Sequence, residues 1–521
     1  MGIKKEQERA ELHKIIWNIA DDLRGTVDGW DFKQYVLGML FYRYISENIT
    51  DYINENEHKS GDIDFDYAKL DDNEINDDII DEIVSTKGYF IYPSQLFSNA
   101  YKKAADDEDL NETLSTIFRN IENSAIGKHS EDNFKGLFDD FDVNSKKLGA
   151  SVVERVEKLR KLISGTASMN LGSYGENTID IFGDAYEFLM GMYASNAGKS
   201  GGEYYTPQEV SELLTRLTLL GKSEVNKVYD PACGSGSLLL KYAKILGHNN
   251  VRIGFFGQET NITTYNLCRI NMFLHNIPYD KFSIAHGDTL LNPYHYDYEP
   301  FEAIVSNPPY STKWKGDEDP VLINDPRFSP AGVLAPKSKA DFAFIMHSLS
   351  WLSGSGTAAI VCFPGIFYRG GAEQKIRKYL VDNNFIDCII QLPENLFYGT
   401  SIATCIMVLK KNKSDNSILF INASKECVKV TNNNKLTDKN IDNILKYYEE
   451  RKNIEYISSF IKYEKVVEEN YNLSVNTYVE LEDTREKIDI KVLNAEIEAI
   501  VKKQQVLRDN INKIINELGE I

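Results

Sequence analysis

Short apolar segments alternate with helical patterns between about residues 166 and 425, and this alternation restricts the fold more than any other feature of the chain. Segments 227–230, 252–258, 282–286, 303–305, 358–362 and 385–392 have the length and residue types of strands, and a helix is expected at 341–352. Strands joined through helices form βαβ units, so the sequence predicts an α/β fold with a mostly parallel sheet. Segment 402–409 is expected to close that sheet as an antiparallel hairpin partner.

Four of these strands end on or just before a polar side chain. Asp230 ends the first strand, Glu259 and Asp288 follow the next two, and Asn307 follows the apolar run 303–305. Ligands of open parallel sheets bind outside the carboxyl ends of the strands. The sequence therefore predicts that these four side chains meet in one crevice.

A glycine-rich turn, residues 233–237, separates the first strand from a helix that runs through Leu240. Glycine allows a ligand to approach the backbone closely. The turn lacks the full dinucleotide fingerprint, and Asp230 before it suits a cationic or hydroxyl-bearing ligand better than a pyrophosphate. Glu259 lies about 20 residues beyond the glycines, where an acidic residue typically binds ribose hydroxyls. These features predict a nucleoside cofactor without phosphates.

The tetrapeptide Asn307-Pro308-Pro309-Tyr310 suits the binding of a planar amino group. Neither proline has a backbone N–H. The Asn307 side-chain oxygen and the Pro308 carbonyl can therefore both accept hydrogen bonds from one NH2 group, while Tyr310 offers a ring for stacking. Taken alone, the motif is equally compatible with an ordinary strand-to-loop turn.

The two motifs together, Asp-Pro-x-x-Gly-Ser-Gly from Asp230 and Asn-Pro-Pro-Tyr from Asn307, resemble those of adenosylmethionine-dependent amino-methyltransferases. Segments 183–189 and 198–207 look like the modification (methyltransferase) subunit of type I restriction-modification systems, as do segments 16–44, 257–275 and 472–479. The resemblance implies a Rossmann-like methyltransferase sheet and an adenine-specific DNA methyltransferase. The implied reaction transfers a methyl group from S-adenosyl-L-methionine to the exocyclic amino group of adenine.

The resemblance also implies roles for particular residues. Catalysis is expected from Asn307, Pro308, Pro309 and Tyr310, with Tyr310 stacking on an adenine flipped out of the duplex. The cofactor is expected to contact Glu203, Tyr204, Tyr205, Thr206, Pro207 and Gln208 on one wall, Ser235, Gly236 and Ser237 beneath its methionine moiety, Glu259 at its ribose, Asp288 at its adenine and Asp230 at its amino group. No metal is expected.

The charge of the chain is concentrated at its front. Residues 1–150 contain 17 Lys and Arg against 32 Asp and Glu, which accounts for most of the net charge of −20. Because neutralisation of phosphates supplies most nonspecific DNA affinity, such a chain should bind DNA poorly without a partner. The resemblance implies that this partner is a specificity subunit that reads the target and binds two modification subunits, with an ATP-dependent restriction subunit in the full complex.

Three domains are expected: a helical domain at 1–165, a methyltransferase domain at 166–480 and a C-terminal helix at 481–521. The last segment has residues at an unbroken heptad spacing, and all of them except Gln504 are apolar. This spacing is typical of a coiled coil. The residues of this heptad stripe are Leu493, Ile497, Ile500, Gln504, Leu507, Ile511, Ile514 and Leu518. The pattern predicts docking against helices of another subunit. The alternative interpretation is an amphipathic helix that packs on its own domain.

Several other classes of protein are disfavoured. No apolar run approaches the roughly 18 residues of a membrane span, and the N-terminus lacks a signal-peptide core, so we expect a cytoplasmic protein without a membrane partner. The six cysteines form no C-x-x-C pair, which indicates buried thiols. Gly198-Lys199-Ser200 has Tyr193 where a phosphate-binding loop needs glycine, which excludes ATP hydrolysis.

Two rival functions stay open at this stage. A protein-glutamine methyltransferase would also use Asn-Pro-Pro-Tyr on a planar amide, but it would not explain residues 203–207, the helical front or the heptads. A non-enzymatic assembly factor would be expected to have lost some of the site residues. The residues Lys313, Trp314 and Lys315 after the motif fit either contact with DNA or a solvated loop.

Overall fold

The computed structural model describes residue 10 and residues 12–18, 29–169, 181–196, 206–397, 400–430, 433–482 and 490–519. The chain forms two compact units, Met1–Val479 and Glu480–Ile521. Within the described residues, no helix combines the length and the apolar character that a membrane crossing requires.

The front of the first unit is helical, as predicted. Its helices include α1 (Gly29–Ser60), α2 (Asp77–Lys87), α3 (Phe97–Ala104), α4 (Leu110–Ser124), α5 (Glu131–Phe134), α6 (Val152–Ser168) and α7 (Ile181–Asn196). Local sequence sets several of the helix ends. For example, Ser151 accepts from the Glu154 backbone N–H while the Glu154 side chain accepts from the Ser151 backbone, a capping box that starts α6.

A large mixed sheet forms the centre of the first unit. Its strands are β1 (Val225–Asp230), β2 (Val251–Glu259), β3 (Phe282–His286), β4 (Phe301–Ser306), β5 (Leu352–Cys362), β6 (Ile386–Gln391), β7 (Cys405–Lys410), β8 (Ile418–Asn422) and β11 (Ser458–Ile461). Two further strands, β9 (Val428–Val430) and β10 (Asn433–Lys435), form a separate two-stranded sheet. The strand order is β11-β8-β6-β7-β5-β4-β1-β2-β3. Strands β1 to β5 pair in parallel where they are neighbours, which confirms the predicted α/β class.

Helices cover the sheet and follow the strands in the predicted alternation. They are α8 (Gln208–Thr218), α9 (Ser237–Leu246), α10 (Ile262–Leu274), α11 (Asp341–Trp351), α12 (Ala372–Asp382), α13 (Asp438–Glu450), α14 (Tyr463–Glu468) and α15 (Val475–Tyr478). Successive residues of a strand face opposite sides, so each strand contributes to two cores. In β4, Ala303 and Val305 pack into one core and Ile304 packs into the other.

The prediction that segment 402–409 closes the sheet is wrong. Its strand, β7, is antiparallel as expected, but it lies between β5 and β6, and β8 and β11 extend the sheet beyond β6. The buried residues Ile418 to Ile421 form the neighbour of β6, and β11 pairs with them from the outside. A hydrophobic pattern identifies a strand but not its neighbours, because every buried strand offers the same backbone hydrogen bonds.

The second unit contains one described helix, α16 (Ile490–Gly519), as predicted from the heptads. The side chains from Ile490 to Leu518 are all exposed, including the heptad stripe, in which Ile500 is 66% exposed and Leu507 is 55% exposed. A helix of 30 residues is about four heptads long.

The helical front is fastened to the sheet through α10, the helix that follows β2. Arg269 of α10 is 1% exposed, and its guanidinium donates to the carbonyls of Asp132 and Lys135 at 2.9 and 3.0 Å. Nearby, Asp140 of the helical front accepts from Thr263 at 2.9 Å and from Asn266 at 2.8 Å, both on α10. The helical front therefore helps to hold the element that begins just after Glu259.

We expect Arg269→Met to lower the free energy of unfolding by about 3 kcal/mol, because it removes a buried charged donor from its hydrogen bonds to two carbonyls of the helical front. Urea unfolding followed by circular dichroism measures the change. The matched control is Arg252→Met, since Arg252 is exposed and pairs with Glu224 at the surface, where such a pair contributes at most about 1 kcal/mol. Equal losses in the two variants would contradict the role of Arg269.

Candidate active site

The sheet brings the four predicted strand ends to one edge. Strands β4, β1, β2 and β3 are adjacent in that order and all parallel, so their carboxyl ends point the same way. In the register, Asp230 lies opposite Gly257, and Glu259 lies opposite His286, two residues before Asp288. Asp230, Glu259, Asp288 and Asn307 therefore stand at the ends of neighbouring strands, as the sequence predicted.

The amide of Asn307 is held on both sides. Its Nδ2 donates to Thr206 Oγ1 at 3.1 Å, and Tyr310 Oη donates to its Oδ1 at 2.7 Å. The hydroxyl of Tyr310 stays protonated, because burial raises its pKa well above the ordinary value. Thr206, which was expected on the cofactor wall, is buried and contacts Asn307. The structure thus orients the amide that the sequence singled out.

The loop after the motif is shaped by Asp341, a residue that the sequence analysis did not connect with the site. Asp341 is 5% exposed, and both of its carboxylate oxygens lie 3.2–3.3 Å from the backbone N–H of Ser311. Ser311 has a φ of +50°, a left-handed conformation that is uncommon for a residue with a side chain. The carboxylate stabilises this turn immediately after Tyr310. The one sequence signal of Asp341 is its position as an acidic residue in the first turn of α11.

Asp230 is fully buried beside the glycine turn. Its Oδ1 accepts from Ser306 Oγ at 2.9 Å and from the Ala232 backbone N–H at 3.0 Å. Its Oδ2 is buried and has no hydrogen-bond partner among the described residues. Burial raises the pKa of Asp230 to about 7, and the charge of Glu259 adds to the rise. The carboxylate therefore has an acceptor available for a cationic or N–H-bearing ligand.

Glu259 supports the glycine turn from the neighbouring strand. Its Oε2 accepts from the Gly234 backbone N–H at 3.1 Å, and its Oε1 accepts from the Asn261 backbone N–H at 2.8 Å. Burial raises its pKa in spite of these hydrogen bonds. Each carboxylate oxygen keeps a further lone pair for a ligand hydroxyl.

The glycine at 236 is required by packing. Gly236 has a φ of +81°, and a Cβ there would lie 2.7 Å from the Cys268 sulfur of α10. The glycines of this turn are predicted to allow the close approach of a ligand, whereas at Gly236 the close neighbour is α10 of the same chain. Beside it, the Ser235 carbonyl accepts from Asn271 Nδ2 of α10 at 2.7 Å. Ser237 begins α9.

Asp288 stands in a short turn after β3. Its Oδ1 accepts from the Leu290 backbone N–H at 2.9 Å, and the next residue, Thr289, donates from Oγ1 to the Pro231 carbonyl at 2.6 Å. The turn after β3 is thus tied to the end of β1 across the sheet edge. Thr289, Ser306 and Asn271 carry no sequence signal of these contacts, because their partners are 36 to 76 residues away in the chain.

The remaining predicted site residues are described in part. Pro207 is buried at the start of α8 and Gln208 is half-buried in its first turn, whereas Glu203, Tyr204 and Tyr205 lie outside the described residues. Pro308 is buried and Pro309 is exposed. Lys313 and Lys315 are exposed after the motif.

The cysteines are free, and five of the six are buried, as predicted; Cys427 is half-buried. The Cys233 and Cys268 sulfurs lie 4.0 Å apart. Across the described ranges, no group of three or more His, Cys, Asp and Glu side chains could hold a metal ion.

Adjacent parallel strands whose ends carry a glycine turn, three acidic side chains and an Asn-Pro-Pro-Tyr loop define the class of the amino-methyltransferases. Comparison with known proteins narrows the class. The family model "N-6 DNA Methylase" matches residues 177–487, and the model "HsdM N-terminal domain" matches residues 12–165. The chain belongs to the methylase subunits of type I restriction-modification systems and is an adenine-specific DNA methyltransferase.

Individual relatives support this membership. The type I restriction enzyme MpnII methylase subunit of Mycoplasma pneumoniae is 51% identical over 99% of this chain and 98% of its own length. The MjaVII methylase subunit of Methanocaldococcus jannaschii is 34% identical over 65% of this chain and 59% of its own length. The crystal structure of a type I methyltransferase subunit from Streptococcus thermophilus is 36% identical, with a TM-score of 0.81, and the match covers 91% of this chain and 100% of that one. A protein-glutamine methyltransferase and a non-enzymatic assembly factor are therefore ruled out.

The raised pKa of Asp230 predicts a pH dependence of stability. Between about pH 4 and pH 7 the folded protein retains a proton on Asp230 that the unfolded chain, with an ordinary value of 3.8, has released. The wild type should therefore lose roughly 1.4 kcal/mol of stability per pH unit in this window, relative to Asp230→Asn, which has no such titration. Urea unfolding of both cofactor-free proteins at pH 5, 6, 7 and 8 measures the difference.

The difference should grow up to about pH 7 and then level off. The control Asp62→Asn changes an exposed carboxyl and should keep the wild-type pH dependence. A difference between Asp230→Asn and the wild type that does not vary from pH 5 to pH 7 would show that Asp230 is already ionised in the folded protein at pH 5.

Proposed function

We propose that this chain transfers a methyl group from S-adenosyl-L-methionine to the exocyclic N6 of an adenine in DNA, as the modification subunit of a type I complex. The observation that carries the proposal is the amide of Asn307, held between Thr206 and Tyr310 at the end of β4. A fixed amide oxygen at a strand end suits the recognition of an amino group. The neighbouring acidic strand ends suit a cofactor with hydroxyl and N–H groups.

The target nitrogen needs help to react, because its lone pair is delocalised into the purine ring. Asn307 Oδ1 and the Pro308 carbonyl accept its two N–H groups, which localises the lone pair on nitrogen. Tyr310 occupies one lone pair of Asn307 Oδ1, and a carbonyl oxygen has two, so one stays available for the substrate. Neutral acceptors suffice for this step, and no strong general base is required at the outset.

The adenine must leave the duplex before its N6 can reach this site. Tyr310 is half-buried and its hydroxyl is fixed by Asn307, so its ring is held in one orientation before the base arrives. A pre-oriented ring stacks on the extruded base without a further loss of side-chain freedom. Proximity and alignment then contribute much of the rate enhancement.

The residues at the other strand ends fit the cofactor. When bound, S-adenosyl-L-methionine supplies an electrophilic methyl group on its sulfonium. The buried Asp230 Oδ2, which has no partner among the described residues, suits the amino group of the methionine moiety. Glu259 would bind the ribose hydroxyls and Asp288 the cofactor adenine. One wall of the cofactor site would be formed by Glu203, Tyr204, Tyr205, Thr206, Pro207 and Gln208. The turn beneath the methionine moiety would be formed by Ser235, Gly236 and Ser237.

The chain would act with partners. A specificity subunit would read the target sequence and bind two modification subunits, and an ATP-dependent restriction subunit would complete the assembly. Two observations support a partner: the acidic front disfavours DNA binding by this chain alone, and the heptad stripe of α16 is exposed. An exposed apolar stripe at heptad spacing suits a helix of another subunit.

Asn307→Ala should lower kcat for DNA methylation at least about 100-fold, since it removes an acceptor that the reacting amine needs. The dissociation constant for S-adenosylhomocysteine should change little, because the cofactor is bound by other strand ends. Transfer of a radiolabelled methyl group to DNA, with a co-expressed specificity subunit, measures kcat, and calorimetry measures cofactor binding. Nucleoside analysis of the product should show N6-methyladenine.

The control for Asn307→Ala is Asn250→Ala, an exposed asparagine just before β2, which should keep wild-type turnover. Substantial turnover by Asn307→Ala would remove Asn307 from the mechanism. A methylated cytosine in the product would contradict the proposed substrate.

Leu507→Lys should weaken assembly with the specificity subunit, because it places a charge in the heptad stripe. Removal of the residues from Glu496 onward should have a larger effect in the same direction. The neighbouring Val506→Lys is the matched control: Val506 is 57% exposed, like Leu507, but lies outside the stripe. Sizing chromatography of the co-expressed proteins tests the prediction, and it is refuted if both lysine variants assemble like the wild type.

A further inference from the structure

The chain between the catalytic motif and α11, residues 311–340, folds back on itself as an ordered segment; we call it the post-motif segment. The Trp314 backbone N–H donates to the Lys337 carbonyl at 3.0 Å, and the Trp314 indole N–H donates to the Pro336 carbonyl at 3.1 Å. The Ala340 N–H donates to the Thr312 carbonyl at 2.9 Å, which closes the segment. These hydrogen bonds hold the two ends of the segment together.

A buried arginine, Arg327, joins this segment to the turn after β3. Arg327 is 4% exposed, and its two terminal nitrogens donate to the carbonyls of Thr289 and Leu290, each at 2.8 Å. Its positive charge is balanced by Asp325, at 2.7 Å from Nη2 and 3.0 Å from Nε. The two carbonyls belong to the residues that directly follow Asp288. The guanidinium thus spans a carboxylate in the post-motif segment and two carbonyls in the turn that carries Asp288.

The same guanidinium is linked to β1 through His347 of α11. Arg327 Nη1 lies 3.2 Å from His347 Nδ1, and His347 Nε2 lies 2.9 Å from Tyr229 Oη. A guanidinium can only donate, so His347 Nδ1 accepts and its proton is on Nε2, which donates to Tyr229. Tyr229 precedes Asp230, and Thr289 independently donates to the Pro231 carbonyl. Arg327 therefore joins the post-motif segment directly to the turn after β3, and it is linked to β1 through His347.

We propose that Arg327 is a positioning residue for cofactor binding: it holds the turn of Asp288 in place through the Thr289 and Leu290 carbonyls and joins that turn to the segment that follows Asn-Pro-Pro-Tyr. The proposal rests on the proposed function, in which Asp288 binds the cofactor adenine. The planar guanidinium presents several donors in a fixed fork, whereas a lysine ammonium is a single point charge on a flexible chain. Arg327→Lys therefore keeps the buried charge and loses the bridge.

The test compares Arg327→Lys with Arg377→Lys in the full-length chain. Arg377 is also buried, at 1% exposure, and also donates to two carbonyls, those of Ile366 and Tyr471 at 2.7 and 2.8 Å, but neither belongs to the turn after β3. Both variants should lower the melting temperature. Calorimetry with S-adenosylhomocysteine should show a dissociation constant raised about tenfold for Arg327→Lys, as expected for the loss of one hydrogen bond from a charged donor, and nearly unchanged for Arg377→Lys.

A third variant, Asp288→Ala, separates this inference from the proposed function. If Asp288→Ala weakens cofactor binding and the double variant with Arg327→Lys is no weaker, Arg327 acts through the turn of Asp288. If Asp288→Ala weakens binding and Arg327→Lys does not, or if Arg377→Lys weakens it equally, the positioning role is refuted while the cofactor assignment survives. Unchanged binding by Asp288→Ala would overturn both.

Should Arg327→Lys fail to fold, Asp325→Asn tests the same bridge. It leaves the arginine in place and removes the carboxylate that orients its guanidinium. A raised dissociation constant for S-adenosylhomocysteine supports the proposal. An unchanged constant in a folded Asp325→Asn protein would refute it.

Discussion

The parallel pairing of β1 with β4 on one side and with β2 on the other determines where the proposed site residues stand. Side chains at the ends of neighbouring parallel strands emerge at one edge of the sheet. This pairing therefore brings Asn307, Asp230 and Glu259 together, although Asp230 and Asn307 are 77 positions apart in the sequence. The two buried cores above and below the sheet hold the pairing in register. A few hydrogen bonds between the loops at the strand ends then complete the site.

Those hydrogen bonds connect strand ends that are distant in the chain. Ser306 donates to Asp230, Thr289 donates to the Pro231 carbonyl, and Glu259 accepts from the Gly234 backbone. The arrangement is formed in the free protein, so little ordering remains for ligand binding. It carries a local cost, since Asp230 is buried with one oxygen lacking a partner among the described residues, and its pKa is raised to about 7. We infer that the fold tolerates this cost because a ligand group relieves it.

Much of the site could be predicted from the sequence because its main residues terminate recognisable strands. Asp230, Glu259 and Asn307 each stand within three residues of the end of an apolar run, and the sequence predicts each of them at the sheet edge. Arg327 and Asp341 could not be predicted, because both act through backbone groups of distant segments and neither has a motif. The order of β7 was missed for a related reason: hydrophobic spacing identifies a strand without specifying the strand beside it.

The sequence by itself determined the alternation of strands and helices, the polar strand ends, the heptads of α16 and the family to which the chain belongs. These features are local, and each follows from the periodicity or chemistry of a few neighbouring residues. Only the tertiary structure decided that Tyr310 would hold Asn307, that Glu259 would support the glycine turn and that Arg327 would join the post-motif segment to the turn after β3. The reason is physical: a buried donor must find an acceptor wherever the folded chain places one, and that partner is set by packing rather than by proximity in sequence.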